Sequence, residues 1–130
     1  MSAQRSYKTA ARRVRGLGAA HTGTGDFIVL RVTGIALLFL SCAFVVIATS
    51  LIGRNHAATV QILGSPLVAV LMLLFIGVTI YHMWIGMQEI IIDYVHEEGS
   101  KFLLLLGNAF FCVAIGVACA FAILKLSFGV

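Results

Sequence analysis

Three uninterrupted apolar stretches constrain the fold of this chain more than any other feature of its sequence. They run from Phe27 to Ile52, from Pro66 to Ile92 and from Phe102 to Leu124. Because an α-helix rises about 1.5 Å per residue, each stretch can cross the roughly 30 Å hydrocarbon core of a bilayer. With 61% apolar residues, 11% charged residues and a mean hydropathy of +1.06, the chain is too apolar for a soluble domain of 130 residues. We predict an all-α membrane protein with three transmembrane helices in a single domain.

Basic residues are concentrated before the first stretch. Nine Lys and Arg residues stand against five Asp and Glu, which gives a net charge of +4. Five of the basic residues precede the first predicted helix: Arg5, Lys8, Arg12, Arg13 and Arg15. Lys101 follows the second predicted helix, whereas Arg54 and Lys125 fall on the opposite side. Since cytoplasmic segments carry an excess of Lys and Arg, this pattern predicts a cytoplasmic N-terminus and an outer C-terminus, and no nucleic-acid partner.

Residues 1–25 form the predicted cytoplasmic basic tail. The segment contains no acidic residue, and this composition also suits a mitochondrial transit peptide. It has no short apolar core followed by a small-residue cleavage site, so we do not expect a cleaved secretory signal. We favour a retained tail, with Asp26 as the N-cap of the first helix. Three helices enclose little interior, so the chain should complete its bundle against a partner subunit within membrane lipid.

His82 lies near the midpoint of the second apolar stretch. An ionisable side chain at hydrocarbon depth is expensive, so it indicates a functional site. Three interpretations remain open: a histidine satisfied by a hydrogen bond across the bundle, a proton relay, and an axial ligand of haem iron. Gly86 follows one turn later and removes side-chain bulk beside the ring, which suits a flat cofactor.

Two further positions carry polar groups near the predicted cytoplasmic side. Arg31 lies inside the first apolar stretch, where it either snorkels toward the interface or faces the bundle and binds a carboxylate or phosphate. Gly34, three residues later, allows another group to approach closely. Asp93 and Tyr94 end the second stretch, at a depth where aromatic residues collect at the membrane interface.

The sequence resembles a known family in a spaced set of residues. The second stretch and its end carry His82, Trp84, Gly86, Met87, Asp93 and Tyr94, and Phe27 and Arg31 precede them in the first stretch. This set resembles the hydrophobic D-type membrane anchor subunit (cytochrome b556-type anchor) of succinate dehydrogenase, and most closely its bacterial form. The likeness covers the first two helices and the turn after them, together with the three-span layout. The related motif of the C-type anchor has a histidine immediately before the arginine, where this chain has Leu30, so the D-type is favoured.

The resemblance implies a role for five residues. His82 is implied as an axial ligand of haem b, with Arg31 near the haem propionates and Gly86 in the haem pocket. Tyr94 is implied to bind ubiquinone, with Asp93 beside it. A six-coordinate haem takes two axial ligands and this chain has one intramembrane histidine, so the second ligand must come from another chain. The resemblance implies that the chain donating the second ligand is the C-type anchor, a partner of this protein.

The resemblance also implies the rest of the assembly, with the iron–sulfur subunit and the flavoprotein subunit on the cytoplasmic face. The sequence has no flavin-binding fingerprint and no cysteine cluster, so dicarboxylate oxidation and iron–sulfur electron transfer belong to those subunits. The expected function is that of a non-catalytic anchor of succinate:ubiquinone oxidoreductase, respiratory complex II. We expect it in the bacterial inner membrane rather than the mitochondrial inner membrane.

Glu89 departs from the family pattern, because the best-matching relatives carry Gln at that position. It has no assigned role. Together with His82 and Asp93 it leaves open a different class of function, a small helical subunit of a transporter or assembly complex with a proton path through these three residues. Such a protein would bind no haem, so a visible absorption spectrum separates the two possibilities.

Overall fold

The chain is all-helical in the part that the computed structural model describes, which is residues 22–129, with side chains from residue 25 onward. The helices are α1 (Thr22–Ser50), α2 (His56–Leu63), α3 (Pro66–Tyr94) and α4 (Glu98–Phe128). Three segments are long and apolar enough to cross a membrane: Gly25–Ser50, Pro66–Tyr94 and Glu98–Phe128. The prediction of an all-α protein with three transmembrane helices is confirmed.

The long helices extend beyond several of the predicted limits. We had predicted Asp26 as the N-cap of the first helix. Helix α1 begins at Thr22, so Asp26 lies within the helix and that prediction is wrong. Residues 22–25 belong to α1 rather than to a tail, and residues 1–21 lie outside the described residues. Lengthening an existing helix adds one backbone hydrogen bond per residue, which offsets the weak helix propensity of the glycines there.

The connection between α1 and α3 contains the short helix α2, which lies between the first two predicted membrane helices and was not predicted. Gly53 adopts a φ of 74°, a left-handed conformation that glycine takes without strain and that turns the chain after α1. The side chain of Asn55 then caps α2, since its Oδ1 accepts a hydrogen bond from the backbone N–H of Ala58 at 2.9 Å. About two turns of helix therefore occupy this connection.

Helix α3 is the centre of the bundle. It packs against both α1 and α4, whereas α1 and α4 do not meet each other within the described residues. The chain thus forms a flat layer in the order α1, α3, α4, with antiparallel neighbours. One end of the layer holds the start of α1, the end of α3 and the start of α4; we call it the Tyr94 end.

Stacked rings and small residues hold the layer together. The rings of Phe44 on α1 and Phe75 on α3 stack with their centroids 4.8 Å apart and their planes at 14°. On the other side of α3, a Cβ added at Gly116 would lie 3.5 Å from the side chain of Ile80. At the opposite end, a Cβ at Gly64 would lie 2.8 Å from the carbonyl oxygen of Leu126, so the close approach of α2's C-terminus to α4 requires glycine.

Few side chains are enclosed by the layer itself. The buried apolar residues among those described are Ala69, Met72, Ile85, Ile91, Cys112 and Ile123. Many large apolar side chains remain exposed on α1 and α4, among them Phe39 at 70% and Phe110 at 69%. In a bilayer these surfaces face lipid or other membrane helices, which is what a three-helix subunit of a larger bundle requires.

Candidate functional site

His82 sits in the middle of α3 on the side that faces α1, and its ring is half-buried. Its Nδ1 lies 2.8 Å from the hydroxyl oxygen of Thr33 on α1. This is a hydrogen bond across the bundle, one of the three interpretations that the sequence left open. Among the described residues Nε2 of His82 has no hydrogen-bond partner. Every buried side-chain nitrogen or oxygen in that part of the chain does have a partner. Nε2 is therefore accessible at the surface of the layer.

Two glycines lie where α1 and α3 pack around His82, and a Cβ at either would make an ordinary van der Waals contact. A Cβ added at Gly34 of α1 would lie 3.7 Å from Cε1 of His82. A Cβ added at Gly86 of α3 would lie 4.0 Å from Cδ2 of Leu30 on α1. The notch that we predicted at Gly86 therefore faces Leu30, one turn from the His82 ring. We call Thr33, Gly34, His82 and Gly86 the mid-helix site.

Arg31 lies outside the contact between α1 and α3. The side chain is exposed, and its guanidinium carbon lies 4.3 Å from the centre of the Phe27 ring, one turn toward the start of α1. Arg31 precedes Thr33 by two residues, which places the two side chains about 160° apart around the helix axis. The cation–π contact directs the charge toward the Tyr94 end, as snorkelling requires. The structure does not bring Arg31 to the His82 ring.

Asp93 and Tyr94 are the last two residues of α3 and both are exposed, Tyr94 by 79%. Tyr94 follows His82 by twelve residues, which corresponds to about 18 Å along the helix at about 1.5 Å per residue. The sequence-predicted residues thus fall into two regions, the mid-helix site and the Tyr94 end. The phenol of Tyr94 is therefore accessible on the surface of the layer.

Lys101 is a residue of the Tyr94 end that we had considered only as an orientation signal. Its Nζ donates a hydrogen bond to the backbone carbonyl of Ile92 at 3.3 Å. The ammonium therefore sits at the C-terminal end of α3, where the helix dipole favours a cation. A positive charge beside Asp93 and Tyr94 was not apparent from the sequence because Lys101 belongs to the next helix.

Glu89 lies between the two regions and is half-buried. It follows His82 by seven residues, about 10 Å along α3 at about 1.5 Å per residue. Among the described residues no hydrogen bond links it to His82 or to Asp93. The proton path that the sequence left open has a gap of about two helical turns, which no side chain in the described part of the chain bridges.

Asn108 is a second residue whose contacts the sequence did not indicate. Its Nδ2 donates a hydrogen bond to the backbone carbonyl of Trp84 at 3.0 Å, and the thiol of Cys112 lies 3.5 Å from its Oδ1. These contacts join α4 to α3 on the side away from α1, two residues past His82. The signal in the sequence was a lone amide in an apolar helix, which usually hydrogen-bonds to a neighbouring helix.

A cavity of about 390 Å³ lies between α3 and α4 on the same side as Asn108. It is lined by Met83, Met87, Ile91, Leu103, Leu104, Gly107, Asn108 and Phe111. Its surface is almost wholly apolar and carries no charged side chain, so it suits a hydrocarbon chain rather than a polar ligand.

The described residues do not form a complete metal site. No group of three or more His, Cys, Asp or Glu side chains converges in residues 22–129. A metal bound at His82 would therefore need ligands from a cofactor or from another chain.

Comparison with known proteins decides the family. The sequence profile of the succinate dehydrogenase/fumarate reductase transmembrane subunit matches residues 5–116, which include α1, α2, α3 and the first part of α4. The chain belongs to this family. It is therefore a transmembrane anchor subunit of a succinate dehydrogenase/fumarate reductase complex, and the family indicated by the residues from His82 to Tyr94 is confirmed.

Two relatives carry the name succinate dehydrogenase hydrophobic membrane anchor subunit. The protein from Paracoccus denitrificans is 27% identical over 123 residues, which cover 95% of each chain. The protein from Rickettsia conorii is 26% identical over 115 residues, 86% of this chain and 90% of the relative. No solved structure matches the chain significantly. The likeness to membrane anchors extends over nearly the whole chain.

Proposed function

We propose that this chain is the hydrophobic membrane anchor of a bacterial succinate:ubiquinone oxidoreductase, that it supplies one axial ligand of haem b, and that it forms part of the ubiquinone site. The observation that carries the proposal is the hydrogen bonding of the His82 ring, in a chain that belongs to this family. Its ring lies at the middle of the central helix, with Nδ1 engaged by Thr33 and Nε2 free of partners among the described residues.

The residues present fit a haem on three grounds. A ligating histidine commonly donates its second ring N–H to an oxygen, and His82 has such an oxygen at Nδ1. Nε2 of His82 has no hydrogen-bond partner among the described residues, so this nitrogen is available to a ligand. The flat layer leaves both faces of α3 accessible to a second membrane chain, which would provide the other axial ligand. When bound, haem b supplies a one-electron carrier.

The Tyr94 end supports the second part of the proposal. Tyr94 is exposed at the end of α3, and a phenol O–H can donate a hydrogen bond to a quinone carbonyl. The Lys101 ammonium donates to the carbonyl of Ile92, the residue before Asp93, and its positive charge favours the negative charge that develops on a quinone during reduction. Asp93 supplies a carboxylate that can hold a proton or orient a partner beside the phenol.

The proposal includes the partners and the membrane. The C-type anchor would pack against the exposed apolar surfaces of the layer, and the iron–sulfur and flavoprotein subunits would dock at the Tyr94 end, on the cytoplasmic face. This orientation follows from the basic residues before α1. Both bacterial relatives and the three apolar helices support a place in the bacterial inner membrane.

The proposal is tested by isolating the intact complex through a tag on this chain. We expect the two soluble subunits and a second anchor to copurify, a b-type α band on reduction, and succinate-dependent ubiquinone reduction. Membranes from a strain without the tag are the control. A complex without the α band contradicts the haem assignment, and a preparation without succinate oxidation contradicts the assignment to succinate dehydrogenase.

Replacing Arg31 with leucine in the complex is expected to lower haem retention or shift the haem midpoint potential. The Arg31 side chain is exposed and directed toward the Tyr94 end, which leaves its guanidinium open to an anionic partner, and haem would bring two propionates. Lysine should restore the property only in part, because it lacks the forked donors of arginine. Haem-to-protein ratio and redox titration are the measurements.

Replacing Phe27 with leucine is the matched control for Arg31, since it removes the 4.3 Å cation–π contact and keeps the charge. We expect this control to leave the haem unchanged. If the Arg31→Leu complex behaves like the wild type, Arg31 only snorkels to the interface and has no role at the haem.

A further inference from the structure

The hydroxyl of Thr33 is surrounded by three groups and has a single proton to donate. Its Oγ1 lies 2.7 Å from the carbonyl oxygen of Val29, 3.2 Å from that of Leu30 and 2.8 Å from Nδ1 of His82. Carbonyl oxygens only accept hydrogen bonds, so the short contact with Val29 requires the Thr33 proton. Were that proton given to His82 instead, two oxygens would lie 2.7 Å apart with no proton between them.

The direction of the contact with His82 follows from this arrangement. With its proton committed to the Val29 carbonyl, Thr33 can only accept at Nδ1, so Nδ1 carries the hydrogen. A neutral imidazole has one N–H. The remaining nitrogen, Nε2, then presents a lone pair, which is the form that a metal ligand needs.

We propose that Thr33 is a positioning residue, which holds His82 in the Nδ1–H tautomer and fixes the plane of its ring, so that the Nε2 lone pair is set in advance for a metal. This inference rests on the proposed function for the identity of the ligand at Nε2. The contact with His82 itself is independent of that identity.

Two features make Thr33 suited to this role. Its β-branched side chain has few rotamers in a helix, and the bond to the Val29 carbonyl selects among them. Gly34 beside it places no side chain against the imidazole, and a Cβ there would make an ordinary contact 3.7 Å from Cε1. The oxygen is thus held in place by the backbone of α1.

The test replaces Thr33 with valine, which keeps the shape and removes the oxygen, and with serine, which keeps the oxygen. Thr79→Val is the matched control, because Thr79 donates to the carbonyl of Phe75 on its own helix at 2.6 Å. All variants are studied in the intact complex. The first readout is the rate of haem transfer to apomyoglobin, with the low-spin electron paramagnetic resonance signal recorded alongside.

We expect Thr33→Val to release haem about 10- to 100-fold faster and to move the low-spin signal, since loss of a group that orients a metal ligand typically weakens binding by that factor. Thr33→Ser should lie close to the wild type, and Thr79→Val should match it. Wild-type haem release and an unchanged signal in Thr33→Val overturn the inference, as does an equal effect of Thr79→Val.

The second readout is nitrogen-15 NMR of histidine-labelled complex in the reduced, diamagnetic state, with the His82 signals assigned by their loss in His82→Gln. A hydrogen-bonded Nδ1–H in the wild type supports the inference, and a proton on Nε2 overturns it. This reading uses the wild-type protein, so it holds even if Thr33→Val fails to assemble. Were the wild-type complex free of haem, the proposed function would fail while the tautomer measurement would still decide the role of Thr33.

Discussion

Replacing His82 with leucine in the assembled complex is expected to abolish the low-spin spectrum of a bis-histidine b-type haem. Leucine has no atom that binds iron, and the described part of the chain holds no other histidine within a membrane-spanning stretch. Of the two described histidines outside those stretches, His56 begins α2 and His96 follows α3. The measurements are the reduced-minus-oxidised absorption spectrum and the haem-to-protein ratio of purified complex.

The expected change is nearly complete because each axial ligand of a six-coordinate haem is required for the low-spin state. A neighbouring group that entered the vacated position would give a high-spin or altered spectrum, which still differs from the wild type. His56→Leu is the matched control, since it removes an exposed histidine far from the mid-helix site, and it should leave the spectrum unchanged. An intact bis-histidine spectrum in His82→Leu would show that the ligands come from other chains.

Replacing Tyr94 with phenylalanine is expected to lower succinate-dependent ubiquinone reduction about 10- to 1000-fold, the range seen when a donor to a developing negative charge is lost. The substitution removes one hydroxyl from a side chain that is 79% exposed, so assembly and haem content should be preserved. Succinate oxidation by an artificial soluble acceptor should also be preserved, because that reaction bypasses the membrane subunits. The ratio of the two activities is the measurement.

The position of Tyr94 gives this expectation its physical basis. Under the proposed function, quinone would reach the complex through the lipid and electrons would arrive from iron–sulfur clusters on the cytoplasmic face, so reduction would take place at the boundary between the two. Tyr94 ends α3, about 18 Å along the helix from His82 at about 1.5 Å per residue, which suits such a boundary. Tyr81→Phe is the matched control, as Tyr81 lies on the same helix within the hydrocarbon. Wild-type quinone reduction in Tyr94→Phe would make Tyr94 an interfacial aromatic residue without a role at the quinone.

The two proposed activities occupy separate regions, and the variants should therefore separate them. Loss of the Tyr94 hydroxyl should lower quinone reduction and leave the haem spectrum intact. The main effect of losing His82 should be a change in the haem spectrum. Thr33 contacts His82 at the mid-helix site. Lys101 contacts the carbonyl of Ile92 at the Tyr94 end. A variant that changed both properties equally would indicate a general loss of assembly.

Much of this protein is determined by its sequence alone. The lengths of the apolar stretches determine three membrane helices, because a backbone in hydrocarbon must satisfy its own hydrogen bonds. The spacing of His82 and Tyr94 within one stretch determines their depths, because the rise of a helix is constant. The second apolar stretch was predicted to begin at Pro66, and α3 begins there. The missing N–H of proline is harmless in the first turn of a helix.

The ends of the helices and the connection between α1 and α3 were predicted less well. Asp26 looked like an N-cap because it precedes an apolar run, yet α1 starts earlier, at Thr22. Helix α2 was missed since its eight residues are too few for a clear periodicity, and its stability depends on the Asn55 cap and on contacts with α3 and α4.

Tertiary structure alone decided the partners of each polar side chain. Thr33 and His82 are 49 residues apart, and nothing in either helix indicates which turn of one faces which turn of the other. That register depends on side-chain packing along the whole contact, from the glycines at the mid-helix site to the stacked rings of Phe44 and Phe75. Local sequence sets the depth of a residue in a membrane helix, whereas only the packing of two helices sets which atoms meet at that depth.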